Sequence, residues 1–136
     1  MGKYAVTGSG QVGQVLADGL LEHGHEVMRA SREPSKLAEW QRKAPAARFV
    51  KAFSCVGNAF MIHPNFPGGP PSMFICGNDG AAKASVRILL TELGWETVDM
   101  GAVEPARAIE PLCMLWCIPG LTKNRWAHAF KLLHLP

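Results

Sequence analysis

Charged residues are scarce in this 136-residue sequence. They make up 18% of it, and neither sign dominates, because 14 Lys+Arg against 11 Asp+Glu leave a formal net charge of +3. The small excess is spread along the chain, so no nucleic-acid partner is expected. Long apolar runs are also missing. The longest mostly apolar stretch, Leu112 to Ile118, is far too short to cross a bilayer, so no membrane partner is expected. Internal repeats and low-complexity segments are absent. Met1 is followed at once by a strand-like segment, and no signal peptide is expected. Cysteine is limited to four residues at irregular spacing, which predicts reduced, buried thiols in a cytoplasmic protein rather than a disulfide framework. Against these absences stands a hydrophobic content of 48%, too apolar for disorder. That content at this length suits one domain over 1–136 with a sizeable core.

Lys3 to Thr7 reads as a short strand ending on Gly8. Val12, Val15, Leu16, Gly19 and Leu20 then recur at the spacing of one helical face, with His23-Gly24 closing the helix. Glu26 to Ala30 is a second strand, so strand, glycine loop, helix and strand fit inside thirty residues. That is a βαβ unit and implies a parallel sheet. Pro34 to Lys43 predicts a short helix with Pro34 at its first position. Phe49 to Phe53 predicts a third strand. Val56 to Ser72 holds four prolines and three glycines and predicts a long irregular loop. Met73 to Cys76 is a fourth strand, and Asp79 caps a helix with Ala82, Val86, Leu89 and Leu93 inward and Gly94 at its end. Trp95 to Met100 is a fifth strand. The tail reads as helix from Pro105 to Ile118, kinked at Pro111, with a break at Pro119-Gly120. A last amphipathic helix carries Trp126, Phe130 and Leu133 on one side.

Gly8-Ser9-Gly10-Gln11-Val12-Gly13 is a G-x-G-x-x-G match that follows a strand and opens a helix inside a βαβ unit. Gly8 turns the chain, Gly10 lets backbone amides approach a pyrophosphate, and Gly13 lets the helix pack on the strand. The helix start supplies unpaired N–H groups and a positive dipole end for phosphates. A glycine turn that holds no ligand is the alternative. At the end of the second strand, Ser31-Arg32 offers a hydroxyl and a guanidinium, which suits the 2′-phosphate of NADP. The competing assignment leaves Arg32 in solvent and gives Glu33 the ribose of NAD, since Glu33 also lies about twenty residues past the motif.

No local signature of a nucleophile triad is present. Cys113 and Cys117 stand at i and i+4 in an apolar helical run and are expected to be core thiols, so no metal site is assigned. His23 and His25 lack a zinc spacing. His63 lies in the Pro/Gly loop, either in solvent or near a substrate, and Lys51 is either buried or reaches a ligand. A hydride-carrying cofactor needs no acid or base from the protein, so no catalytic residue is assigned.

The stretch Gly8 to Lys36, with Gly24-His25-Glu26-Val27 and Ser31-Arg32, resembles the cofactor-binding segment of the NADP oxidoreductases that depend on the deazaflavin coenzyme F420. Phe49-Val50-Lys51-Ala52-Phe53, Phe66-Pro67-Gly68-Gly69, Met73 to Asp79 and Leu93-Gly94-Trp95-Glu96 resemble that family too, as do Ala106 to Leu112 and His128 to Leu133. The resemblance implies an α/β, Rossmann-like fold with a mostly parallel sheet, flanking helices and a helical C-terminal tail. It assigns 1–36 as the nucleotide-binding βαβ unit and 49–136 as the remaining strands and helices of the same domain. It further implies hydride transfer between NADP(H) and a flavin-like (deazaflavin) or other small acceptor, with coenzyme F420 or a flavin as co-substrate. Gly8, Ser9, Gly10, Gln11, Val12 and Gly13 would cradle the pyrophosphate, Ser31 and Arg32 would hold the 2′-phosphate, and the Ser54 to Gly69 loop would face the acceptor. Family members carry further βα units between the Ser-Arg pair and the Lys-Ala-Phe segment. The sheet here is thus expected to be shortened in the middle, with the Lys3 to Thr7 strand pairing directly to the Phe49 strand or a second copy in a homodimer completing it. The competing class is a module that binds or senses NADP without turnover.

Overall fold

The computed structural model describes residues 1–7, 11–30 and 48–135. The chain divides into two compact units, Met1–Arg48 and Phe49–Pro136.

In the first unit, β1 (Lys3–Thr7) leads to α1 (Gln11–Glu22) and then to β2 (Glu26–Ala30). The two strands pair in parallel, in register from Lys3↔Glu26 to Thr7↔Ala30. Helix α1 buries Gly13, Ala17, Gly19 and Leu20. Three of those four have little or no side chain, which suits close approach of a helix to a sheet. Val12, expected inward, is instead 45% exposed. The helix stops by backbone geometry. Gly24 takes φ +75°, its N–H donates to the Leu21 carbonyl at 2.9 Å, and the His25 N–H donates to the Leu20 carbonyl at 3.0 Å. This is a Schellman close, and it needs a residue without Cβ strain at positive φ. His25 is structural here, because its Nδ1 accepts the Gly2 N–H at 3.1 Å and its ring meets Tyr4 edge-on.

The second unit repeats this plan with β3 (Ser72–Ile75), α2 (Gly80–Glu92) and β4 (Glu96–Asp99). Its strands are also parallel, in register from Ser72↔Glu96 to Ile75↔Asp99. Asp79 caps α2 by accepting the Ala82 N–H at 2.7 Å. At the far end Gly94 has φ +89°, and the Trp95 N–H reaches the Leu90 carbonyl at 2.8 Å, the same close as on α1. The core gathers Met61, Met73, Ile75, Leu90 and Leu93, each at most 1% exposed.

Three expectations are corrected in this unit. Phe49 to Phe53 is not a strand. Only Lys51 bridges Cys76, antiparallel, and Phe53 turns to φ 60°, a region a bulky L-residue adopts at a cost. The Phe53 N–H goes to the Met73 thioether at 3.2 Å rather than to a neighbouring strand. Second, Pro119-Gly120 does not break the tail. The chain divides at Pro111 into α3 (Ala106–Ile109) and α4 (Leu112–Lys123), and α4 runs through Pro119. Gly120 faces the ring of Trp126, where a Cβ would lie 2.2 Å from Cε3. Third, no helix follows α4. Asn124 reverses the chain at φ 51°, and 125–135 run without regular structure.

That irregular tail is nevertheless tied down. Trp116 Nε1 donates to the His128 carbonyl at 2.8 Å, and the two rings stack at 4.9 Å between centroids. The Ser72 N–H donates to the Phe130 carbonyl at 2.9 Å, while Ser72 Oγ accepts the Leu132 N–H at 3.0 Å. Lys131 reaches the Pro70 carbonyl at 2.7 Å and pairs with Glu96. The Pro34 to Lys43 helix lies outside the described residues.

Candidate functional site

The parallel register of β1 and β2 sets the frame of the candidate site. Thr7 and Ala30 are partners at the carboxyl ends of adjacent strands, the edge of an α/β sheet where ligands bind. The glycine loop departs from one of these ends, and Ser31-Arg32 follows the other in sequence. Gln11, Val12 and Gly13 form the first turn of α1, with Gly13 buried and Gln11 and Val12 exposed. No acidic residue stands in that turn, so nothing there opposes an anion at the positive end of the helix dipole. The local chemistry fits a pyrophosphate. Gly8, Ser9, Gly10, Ser31, Arg32 and the alternative Glu33 lie outside the described residues.

In the second unit, the loop expected to face an acceptor is anchored at its middle. Met61 is 1% exposed, its carbonyl accepts the Trp95 indole N–H at 2.9 Å, and the His63 N–H donates to the Leu93 carbonyl at 2.9 Å. The His63 backbone sits at φ 49°, with its residue exposed. Further along, Phe66, Gly68 and Gly69 line one wall of a groove of about 410 Å³. Its other wall is the tail segment with His128, Phe130 and Lys131, which the periodicity had placed on a helix. Nothing in the residue pattern marks that wall, because a polar Lys131 between apolar neighbours reads as an ordinary helix surface.

Lys51 is resolved in favour of an ion pair. It is bonded to Glu110 with its side chain 26% exposed. At the carboxyl end of β4, Asp99 accepts the Gly101 N–H at 2.9 Å and pairs with Lys83 at 3.0 Å. The Gly101 N–H, followed by the Lys83 ammonium, holds the Asp99 carboxyl below the usual carboxylate range. The cysteines depart from the expectation of buried thiols. Cys55 and Cys76 are buried, and burial pushes both thiols up, but Cys113 is exposed and Cys117 is only half-buried. Among the described residues no group of three or more His, Cys, Asp or Glu side chains could hold a metal ion. No helix among them is long and apolar enough to cross a membrane.

Comparison with known proteins bears on the βαβ unit directly. Residues 3–61 match the family model of the NADP oxidoreductases, coenzyme F420-dependent. The resemblance read from the residues is thereby borne out. The fold agrees as well. A candidate F420-dependent NADP reductase from Arthrobacter sp. FB24 superposes with a TM-score of 0.79 at 22% identity, over 96% of this chain and 98% of its own. A hypothetical protein of Sinorhizobium meliloti superposes with a TM-score of 0.53 at 19% identity, over 75% of this chain and 86% of its own. Among curated proteins, Metalloreductase STEAP3 of Rattus norvegicus is 29% identical over 113 residues, 80% of this chain. The match spans only 22% of that relative's length. The chain is therefore α/β and Rossmann-like, with parallel strands and flanking helices.

Proposed function

We propose that this chain binds NADP(H) and passes hydride between it and a small acceptor of the flavin or deazaflavin class. The observation that carries the reading is the β1–α1–β2 unit, whose parallel strands end in register beside a helix start of buried glycine without carboxylates. The family match over the same residues supports it, since the family is named for NADP and coenzyme F420. The curated relative's name also denotes a reductase, which favours an oxidoreductase over a silent nucleotide-binding module.

In this reading, Gly8, Ser9 and Gly10 with the first turn of α1 hold the pyrophosphate through backbone N–H groups. Ser31 and Arg32 hold the 2′-phosphate, the guanidinium by a paired hydrogen bond that an ammonium could not match. Bound NADPH supplies the hydride, so the protein's part is orientation and exclusion of water. The segment Ser54 to Gly69 faces the acceptor, and the groove beside Phe66 offers an apolar wall for a planar ring. The free thiols support a reducing, cytoplasmic setting.

The test is a nucleotide titration followed by tryptophan emission, with Arg32→Glu as the variant. NADPH binding should weaken by about 2–5 kcal/mol, the worth of a buried charged hydrogen-bond pair, while NADH binding changes far less. Equal losses for both nucleotides would remove the NADP assignment. Binding without oxidation of NADPH by flavin or deazaflavin acceptors would instead establish a non-catalytic module.

A further inference from the structure

Helix α4 carries Cys113 and Cys117 one turn apart, and the structure turns both toward accessible surface rather than the core. At 3.6 residues per turn the two side chains lie about 40° apart around the axis, and Met114 lies about 60° from Cys117 on the same flank. Met114 is 64% exposed. The two thiols and the thioether thus fall within about 100° of one another around the helix, two of them ionisable. One turn before them, Glu110 is paired with Lys51, whose positive charge is felt at Cys113.

We propose that Cys113, Cys117 and the thioether of Met114 form a surface site for one monovalent copper ion. The ligand set selects the metal. Thiolates and thioethers favour Cu(I), whereas structural zinc takes four nitrogen, sulfur or carboxylate ligands in a tetrahedron. No cluster of three or more His, Cys, Asp or Glu exists among the described residues to complete such a tetrahedron. The site is flexible at the third ligand, because the unbranched Met114 side chain can swing onto a metal already held by two sulfurs.

Binding moves no electrons. Two S–H protons leave to solvent, two Cu–S bonds form, and the thioether adds a neutral donor. The complex then carries one net negative charge at the helix surface. Copper uptake therefore strengthens as pH rises.

The experiment is an anaerobic titration of the reduced full-length chain with the coloured bicinchoninate complex of Cu(I). One equivalent of copper should pass from the dye to the protein, with release of protons into weak buffer. Cys113→Ser and Cys117→Ser should each weaken retention by at least the roughly 10–100-fold that even an outer-shell partner is worth. Met114→Leu should weaken it less than either, and Cys55→Ala and Cys76→Ala should leave it unchanged. Circular dichroism of each variant separates lost ligation from lost folding. Retention of copper by a folded Cys113→Ser/Cys117→Ser double variant would overturn the assignment. So would zinc binding as tight as that of copper. Neither readout depends on nucleotide binding or turnover, so the site stands or falls apart from the oxidoreductase reading.

Discussion

Gly57 shows how a single missing side chain holds the second unit together. A Cβ built there would lie 2.3 Å from Cη2 of Trp116, a ring only 7% exposed and clamped by its bond to the His128 carbonyl. The ring cannot retreat, so Gly57→Ala should destabilise the protein by about 1–3 kcal/mol, the usual cost of overpacking a filled site. Gly80 is the useful contrast, with nothing within 4 Å of its Cβ position at the start of α2. Gly80→Ala should be neutral or stabilising by up to about 1 kcal/mol. Urea unfolding of the two variants should therefore move the midpoint in opposite directions or leave the second unmoved. Equal shifts would show that the Trp116 contact is not the cause. In sequence both positions are plain glycines, and the difference between them is set by what long-range packing brings alongside.

At the scale of the element, helix α2 is defined by its two ends. The Asp79 carboxylate accepts the Ala82 N–H, so Asp79→Ala should cost about 1 kcal/mol in unfolding free energy. This cap and the closing Gly94 are legible in sequence because both act within a few residues of the chain. The Lys83–Asp99 pair is not legible, since it joins the first turn of α2 to the end of β4. Asp99 is held below the usual carboxylate range in the folded state by the Gly101 N–H and then by Lys83. A depressed folded pKa gives stability that is present above the unfolded value, about 3.9, and lost as pH falls through the folded one. Asp99→Asn should therefore lower the melting temperature at pH 7, and the gap from the parent protein should close as pH falls through the depressed folded value. A gap that persists unchanged into acid would mean that the carboxylate's charge is irrelevant. The strand and helix spans of both βαβ units also follow from local pattern, because period and punctuation act over short distances. Phe49 to Phe53 has the same apolar content and fails as a strand, because its partners are Cys76 and Met73 rather than a parallel neighbour.

Across the whole molecule, the C-terminal segment is the part most governed by distant contacts. Residues 125–135 carry a helical apolar spacing, yet they run without regular structure and bond to Ser72, Trp116 and Glu96. Removing 127–136, which keeps Trp126, should strip the stacked His128 from Trp116 and take the Phe130 carbonyl and Leu132 N–H away from the fully buried Ser72. Tryptophan emission should shift to the red and the urea midpoint should fall. An unchanged spectrum would mean that the tail contributes nothing to the packing of Trp116.

What the chain alone determined is the order and the ends of the local elements. The strand–glycine loop–helix–strand order, the Schellman closes at Gly24 and Gly94 and the Asp79 cap all rest on backbone chemistry within a few residues. The proposal that Arg32 rather than Glu33 meets the nucleotide likewise rests on sequence alone, as a matter of which side-chain chemistry suits a phosphate. Tertiary structure decided the rest. It turned Cys113 and Cys117 outward while burying Cys55 and Cys76, gave Lys51 to Glu110, and carried α4 through Pro119 with Gly120 facing Trp126. Each of those outcomes depends on two segments far apart in sequence competing for the same space or charge, and periodicity along one segment carries no record of the other.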